Sequence, residues 1–419
     1  MSRASGREQT INLGAGPCTL PTSVLEEASR GLLNYEGTGM GLVELSHRSK
    51  EFQSLNEETL SQLRTLLEVP SEFEILFMQG GGLTQFSCAV MNLVNHFRLA
   101  HKTPKSDQVV VDYLVTGSWS RKASQEASRL GCRVNVVADG REASDSGGSN
   151  KFVSIPPTDE WSLSNVDAPS TTPAFLYYCD NETVDGVEFG SAGFPVGQLP
   201  EAYREKVPLV ADMSSNILSR RIPPKLWNHL GVVFAGAQKN LAPSGLTLVI
   251  VRKHLIQAQL DLAVPFGGFI VPDMLSYKTL AAHHSLYNTP PMFSIYVCNL
   301  VLKDLSQNKG GVETIEKINQ EKSRLVYDLI DNSHGFFVNS VSRNVRSRIN
   351  IVFNCPLGPE LEELFIREAD QAHGIKQIKG HRSVGGIRVS LYNAVSLDQV
   401  HALCRFMHEF HAQHTAPNN

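Results

Sequence analysis

Continuous apolar runs at residues 74–79, 109–115, 175–179, 209–212, 232–235 and 246–251 predict buried strands. Between them the apolar spacing becomes helical. Phe52, Leu55, Leu63, Leu66 and Leu67 mark a helix before the first strand, and Leu83 to Met91 carry helical spacing after it. Alternating elements with continuously apolar strands imply an α/β fold whose mostly parallel sheet is covered on both faces. Ligands in such sheets bind beyond the carboxyl ends of the strands.

A second unit is predicted further on. Past Pro290-Pro291 and Asn308-Lys309-Gly310-Gly311, a helix stripe runs through Val312, Ile315, Ile318, Leu325, Val326 and Leu329, and residues 349–353 and 387–391 read as strands. Ser396-Leu397-Asp398-Gln399 is a capping box opening a last helix through Val400, Leu403, Phe406 and Phe410. A chain of 419 residues exceeds what one core normally serves. It divides into a large domain, residues 15–295, and a small C-terminal α/β domain, residues 296–419, which the segment 1–14 joins. The polar stretch 139–150 has too little apolar content for a core element and reads as a mobile surface loop.

Charge and composition then remove several function classes. A net charge of −4 offers no broad basic surface, so nucleic acid is not an expected partner. No apolar run approaches the ~20 residues that span a bilayer, and residues 1–10 lack an apolar signal core. The chain reads as soluble and cytoplasmic. Its seven cysteines are scattered with no C-x-x-C pair, so neither a disulfide framework nor a metal site is expected. Cys355 sits in a turn, Asn354-Cys355-Pro356-Leu357-Gly358, and reads as structural. His408, His411 and His414 read as a frayed, solvated helix end.

Lys239 and Asp212 each close a short β-rich run, a pairing that suggests a pyridoxal phosphate site. That chemistry needs an amine to form a Schiff base with the cofactor aldehyde and a carboxylate to keep the pyridine nitrogen protonated. Small residues flank the lysine, Gly236-Ala237 before it and Pro243-Ser244-Gly245 after it, so a planar ligand can approach the backbone closely. Upstream, a buried strand leads through Gly80-Gly81-Gly82 into a helix, the arrangement that presents free N–H groups to a phosphate. Trp119, at another strand-to-helix junction, is placed to stack on the pyridine ring or to fill the core.

Taken together, Ser46-His47-Arg48, Gln79-Gly80-Gly81-Gly82, Gly117-Ser118-Trp119, Asn181-Glu182-Thr183, Ala211-Asp212-Met213-Ser214-Ser215, Gly236-Ala237-Gln238-Lys239-Asn240, Tyr287-Asn288-Thr289-Pro290-Pro291 and the segment Gly380-His381-Arg382-Ser383-Val384-Gly385-Gly386-Ile387-Arg388 resemble the phosphoserine aminotransferases, class V pyridoxal phosphate enzymes. The segments stand in the family's order across nearly the whole chain. The resemblance implies a PLP-dependent transferase fold of type I and a homodimer with shared active sites. It implies transamination of 3-phosphooxypyruvate by glutamate, giving O-phospho-L-serine and 2-oxoglutarate in serine biosynthesis.

Residue by residue, it gives Lys239 the covalent link and the proton transfer and Asp212 the ring nitrogen. Thr183 contacts the ring and Trp119 stacks on it. Gly82, Leu83 and Gln238 hold the phosphate with Asn288 and Thr289 of the neighbouring subunit. Arg388 takes the substrate α-carboxylate, and its planar fork suits that task. His47, Arg48, His381 and Arg382 take the substrate phosphate or the distal carboxylate of glutamate across the subunit boundary. Many bacterial relatives carry arginine directly after the triple glycine, where this chain has Leu83, so only backbone donation is expected there.

Two alternatives stand beside this reading. Another class V enzyme, such as an alanine–glyoxylate aminotransferase or a cysteine desulfurase, is opposed by the His47-Arg48 and His381-Arg382 cations. A nucleotide-binding module is suggested superficially by Gly14-Ala15-Gly16-Pro17, but Pro17 stands where a helix should open and no third glycine is in register.

Overall fold

A computed structural model describes residues 4–141 and 151–415. The chain runs α1 (Ala4–Glu8), β1 (Ile11–Asn12), α2 (Thr22–Leu33), α3 (Lys50–Leu66), β2 (Phe73–Met78), α4 (Gly81–His101), β3 (Val110–Val115), α5 (Ser118–Arg129) and β4 (Arg133–Asp139). It continues with β5 (Leu176–Cys179), β6 (Asn181–Glu182), β7 (Val187–Glu188), α6 (Glu201–Lys206), β8 (Leu209–Asp212), β9 (Leu230–Gly236), β10 (Thr247–Arg252), α7 (Tyr277–Ala282) and α8 (Met292–Gln307). The C-terminal part holds α9 (Gly311–Asp331), β11 (Asn350–Phe353), α10 (Pro359–His373), β12 (Ile375–Lys376), β13 (Ile387–Ser390) and α11 (Leu397–Thr415). From residue 142 on, the expected loop at 139–150 lies outside the described residues.

Seven strands form one sheet in the order β2-β10-β9-β8-β5-β3-β4. Every pairing is parallel except those of β10, which runs antiparallel to both β2 and β9. The expected mostly parallel sheet is therefore present. Alternate side chains feed two cores. Phe73, Ile75, Phe77, Val233 and Ala235 pack on one face with α3 and α8, while Leu76, Met78, Val232 and Phe234 pack on the other with α4 and α5. Fully burying one such side chain stabilises the fold by about 1.5–3 kcal/mol. Strand β4, at the sheet edge, was not expected. Arg133, Asn135 and Asp139 break its apolar run, and its exposed positions lack the continuous burial of the inner strands.

A third core joins α9, α10 and α11 to the pair β11–β13. Ile11 and Leu13 belong to it, because β1 pairs in parallel with β12. Helix α9 spans two cores: Val312 and Ile315 pack in the core of the large sheet, Val326 and Ile330 in the C-terminal one. The capping box forms as expected, Gln399 N donating to Ser396 Oγ (3.2 Å) and Ser396 N to Gln399 Oε1 (3.1 Å). The helix it opens does not fray at the histidines. His411 stacks on Phe336 (4.7 Å) and His414 on Phe410 (4.3 Å), so their apolar ring faces gain contacts that spacing alone did not reveal.

Lys322, on α9, is fully buried and donates to the carbonyls of Leu391 (2.9 Å), Tyr392 (2.9 Å) and Val395 (3.1 Å). Burial pushes its amine down to about 7. Lys322→Met removes that desolvation cost but strands three carbonyls, so a net loss of about 1–3 kcal/mol is expected. Urea denaturation of the two proteins measures it, and equal midpoints would show that water replaces the amine.

Candidate functional site

Because β2, β3, β5, β8 and β9 are parallel, their carboxyl ends lie on one edge of the sheet, and the segments leaving that edge carry Gly82, Leu83, Trp119, Thr183, Asp212, Gln238 and Lys239. After β2, Gly80 takes φ 93°, a left-handed conformation that turns the chain into α4. A Cβ there would fall 2.1 Å from Thr84 Oγ1, so glycine is required twice over. Gly81 N donates to Thr247 Oγ1 (2.9 Å), which anchors the loop to β10. The N–H groups of Gly82 and Leu83 follow in the first turn, where helix geometry gives them no carbonyl partner. The Leu83 side chain points outward, 59% exposed, leaving the backbone as donor.

Asp212 ends β8, buried. Its Oδ1 accepts from Ser214 N (2.9 Å) and Ser214 Oγ (2.6 Å), while Oδ2 has only a long contact from Tyr177 Oη (3.4 Å). One oxygen is thus held and the other is left to face a ligand. Burial raises the Asp212 carboxyl above its usual range, opposed by the Ser214 bonds and by Lys239. A Cβ built on Gly82 would lie 3.7 Å from Ser214 Oγ and 3.9 Å from Asp212 Oδ2, so the glycine keeps clear the space in front of the carboxylate.

Lys239 lies in the turn after β9 and is buried, and burial pushes its amine below the usual lysine range, with Asp212 pulling the other way. Its Nζ donates to Thr183 Oγ1 (2.7 Å). Arg388, on β13, donates from Nη1 to the Thr183 carbonyl (3.0 Å), and its Nε is buried with no partner. Thr183 therefore ties the lysine to the arginine, two residues far apart in sequence.

The turn that presents Thr183 also fixes Trp119. Glu182 accepts from Trp119 N (2.9 Å) and Ser120 N (2.8 Å), and Asp185 accepts from Ser118 N (2.7 Å), so two buried carboxylates cap α5. Burial and then the nearby Asp185 raise the Glu182 carboxyl, opposed by the bonds from Ser120 and Trp119. With those N–H groups taken, the start of α4 rather than that of α5 is left for a phosphate. The Trp119 ring is half-buried, its Nε1 has no partner, and Lys122 Nζ lies 4.5 Å from the ring centre. Sequence reading missed the roles of Glu182, Asp185, Ser214 and Tyr177. Glu182 stood in a motif already singled out, but nothing local says which helix it caps.

The remaining cations fall in two groups. His381 and Arg382 lie on the loop before β13, where Gly380 N donates to Gly386 O (2.8 Å). The His381 ring is held below its ordinary range by burial and then by Arg388, Lys122 and Arg382, three cations near it. His47 pairs with Thr289, Nδ1 to Oγ1 at 3.1 Å, and the buried His47 Nε2 has no partner. Arg48 is exposed beside it, and Asn288 is half-buried. Among the described residues, the bonds converging on Thr183 and Asp212 do not include this second group.

The residues gathered around Thr183 and Asp212 fit pyridoxal phosphate: a buried amine, a carboxylate oxygen left open, a glycine-bounded space before it and free helix N–H groups. Gln238 is half-buried beside Lys239. Cys355 does not resemble a sulfur-accepting nucleophile, since it is buried in the C-terminal core with its thiol pushed up to about 12. Gly14 and Ala15 follow the short strand β1, and no helix opens before Thr22, so no dinucleotide loop forms. No group of three metal-ligating side chains and no helix long and apolar enough to cross a membrane occur among the described residues.

Comparison with known proteins agrees with this geometry. The model of the class-V aminotransferase family matches residues 10–403. The probable phosphoserine aminotransferase of Caenorhabditis elegans is 44% identical over 414 residues, spanning 98% of this chain and 99% of that protein. The structure of phosphoserine aminotransferase from Bacillus circulans subsp. alkalophilus is 38% identical with a TM-score of 0.82, covering 97% of this chain and 99% of that one. The PLP-bound phosphoserine aminotransferase of Trichomonas vaginalis is 36% identical with a TM-score of 0.81, covering 95% of this chain and 99% of that one. By sequence and by fold, the chain belongs to the class-V aminotransferases and, within them, to the phosphoserine aminotransferase family.

Proposed function

We propose that this chain uses pyridoxal 5'-phosphate to transfer the amino group of L-glutamate to 3-phosphooxypyruvate, forming O-phospho-L-serine and 2-oxoglutarate for serine biosynthesis. It acts in the cytoplasm as a homodimer with shared sites. The observation that carries this reading is the convergence of Lys239 and Arg388 on Thr183 beside the half-satisfied carboxylate of Asp212. When bound, the cofactor supplies an electron sink that makes removal of an amino acid's Cα proton feasible.

The residues divide the remaining work. Lys239 would hold the cofactor aldehyde, and its amine, once released, would take up and return the substrate Cα proton. Asp212 would keep the ring nitrogen protonated, since an opposite charge in a closed site favours the charged form. Gly82, Leu83 and Gln238 would hold the phosphate and Trp119 a ring face, while Thr183 steadies the amine. Asn288 and Thr289 reach the cofactor phosphate held by the neighbouring protomer, and the Thr289 bond to His47 gathers the shared elements in one place. Arg388 clamps the α-carboxylate bidentately. His47, Arg48, His381 and Arg382 surround the substrate phosphate or the distal carboxylate of glutamate, and so many like charges need such a counter-charge.

Turnover of phosphoserine against serine, alanine and cysteine tests the substrate. Equal rates for serine and phosphoserine would reject it. Losing one charge-assisted contact costs about 1.5–3 kcal/mol, so Arg48→Ala or Arg382→Ala should raise KM for phosphoserine roughly ten- to a hundredfold and leave the cofactor spectrum unchanged. Arg388→Ala should weaken every amino-acid substrate. Mixed dimers of Lys239→Ala and Arg48→Ala chains should regain activity if Arg48 serves the neighbour's lysine, and inert mixed dimers would count against a shared site.

A further inference from the structure

The turns bearing Lys239 and Asp212 are joined by side-chain amides that the chemistry itself does not use, Asn240 and Asn319 buried and Asn393 half-buried. Asn240, next to Lys239, donates from Nδ2 to the Ile217 carbonyl (2.9 Å) and accepts at Oδ1 from Asn393 N (3.0 Å). Asn393 donates from Nδ2 to the Leu218 carbonyl (3.0 Å) and accepts from Asn319 Nδ2 (3.0 Å), which also donates to the Ser219 carbonyl (3.0 Å). Ile217, Leu218 and Ser219 belong to the turn that follows Asp212, and Asn393 follows the strand that carries Arg388.

Leu218 has φ 59°, a left-handed conformation that a leucine adopts only where its surroundings over-determine it. The opposite side of the lysine turn is held as well. Cys18 N donates to the Gln238 carbonyl (3.2 Å) and the Cys18 thiol contacts the Lys239 carbonyl, while Tyr392 Oη donates to the Ala15 carbonyl (2.8 Å).

We propose that Asn240 and Asn393 are positioning residues that lock the Lys239 turn and the Asp212 turn to the strand carrying Arg388, so that amine, carboxylate and guanidinium keep one relative geometry. This rests on the transaminase reading above. The amine must meet the substrate Cα while Arg388 holds the substrate carboxylate, and drift of one against the other takes the amine off the line of proton transfer.

The test uses the full chain loaded with pyridoxal phosphate, comparing Asn240→Ala and Asn240→Asp with the wild type, because the bond that ties the Lys239 turn to Asn393 runs from the Asn393 backbone N–H to the Asn240 side chain. Asn240→Ala should lower kcat on the order of ten- to a hundredfold with KM for phosphoserine little changed. The pH midpoint of its visible spectrum should also move upward, because a loosened lysine nitrogen reaches water and holds its proton longer. Asn240→Asp keeps the acceptor for Asn393 N and should recover part of both. A lower Tm with unchanged kcat and unchanged spectral midpoint would overturn the proposal and leave Asn240 an ordinary structural residue. If Asn240→Ala fails to fold, the same unchanged values in Asn240→Asp overturn it. A wild type inert toward phosphoserine, with a midpoint that still moves in Asn240→Ala, would reject the substrate reading and uphold the clamp.

Discussion

Lys239→Ala should abolish steady-state transamination, with the proton-transfer step alone slowed on the order of 10²- to 10⁴-fold. The variant should bind pyridoxal phosphate noncovalently. Borohydride treatment of the wild type should fix the cofactor to the peptide containing Gln238-Lys239-Asn240, and mass spectrometry reads the site directly. A reduced adduct on any other lysine would refute the assignment. The structure adds a pH dependence. Burial lowers the Lys239 amine, so in the cofactor-free chain the unfolded state binds more protons than the native state between that lowered value and the ordinary ~10.4. Stability should therefore rise with pH through that window. Lys322 contributes in the same direction from about 7 upward, and Lys239→Ala should remove only the part due to Lys239. Parallel stability–pH curves for the wild type and Lys239→Ala would show that the lysine is not held in the buried state described here.

Asp212→Asn should be nearly as damaging while leaving the fold intact. An asparagine oxygen can still accept from Ser214 N and Ser214 Oγ, so the turn after β8 keeps its shape. What disappears is the negative charge next to the ring nitrogen. Removing one preorganised electrostatic contact of this kind costs about 10²–10³ in rate. Single-turnover measurement of Cα-proton loss from phosphoserine checks it, since that step depends most on a protonated ring. Near-normal proton loss in a variant with properly bound cofactor would refute the role given to Asp212.

The effects expected at Lys239 and Asp212 exceed those at Arg48 or Arg382 for a structural reason. Lys239 and Asp212 are buried and bonded on the strand-end edge, so a substitution changes the reacting centre. Arg48 and Arg382 are exposed, and water can screen part of what their loss removes.

Much of the molecule was determined by the sequence alone. Strands β2, β3, β5, β8, β9 and β10 were readable because each is largely buried and so runs mostly apolar, with Glu74 in β2 and Asp112 in β3 as the interior polar exceptions. The glycine turn before α4, the capping box before α11, and the positions of Asp212 and Lys239 at strand ends were readable because they are set by neighbours along the chain. The resemblance to phosphoserine aminotransferases carried the reading from chemistry to substrate class. Tertiary structure alone decided the rest. It made β10 antiparallel, gave the polar-interrupted β4 a place at the sheet edge, and turned His411 and His414 onto Phe336 and Phe410. It also brought Thr183 between Lys239 and Arg388, set Glu182 and Asp185 on the start of α5, and joined Asn240 to Asn393. Side-chain periodicity reports how a segment meets the core, whereas a hydrogen bond between distant segments depends on which loops the packed sheet brings to the same edge.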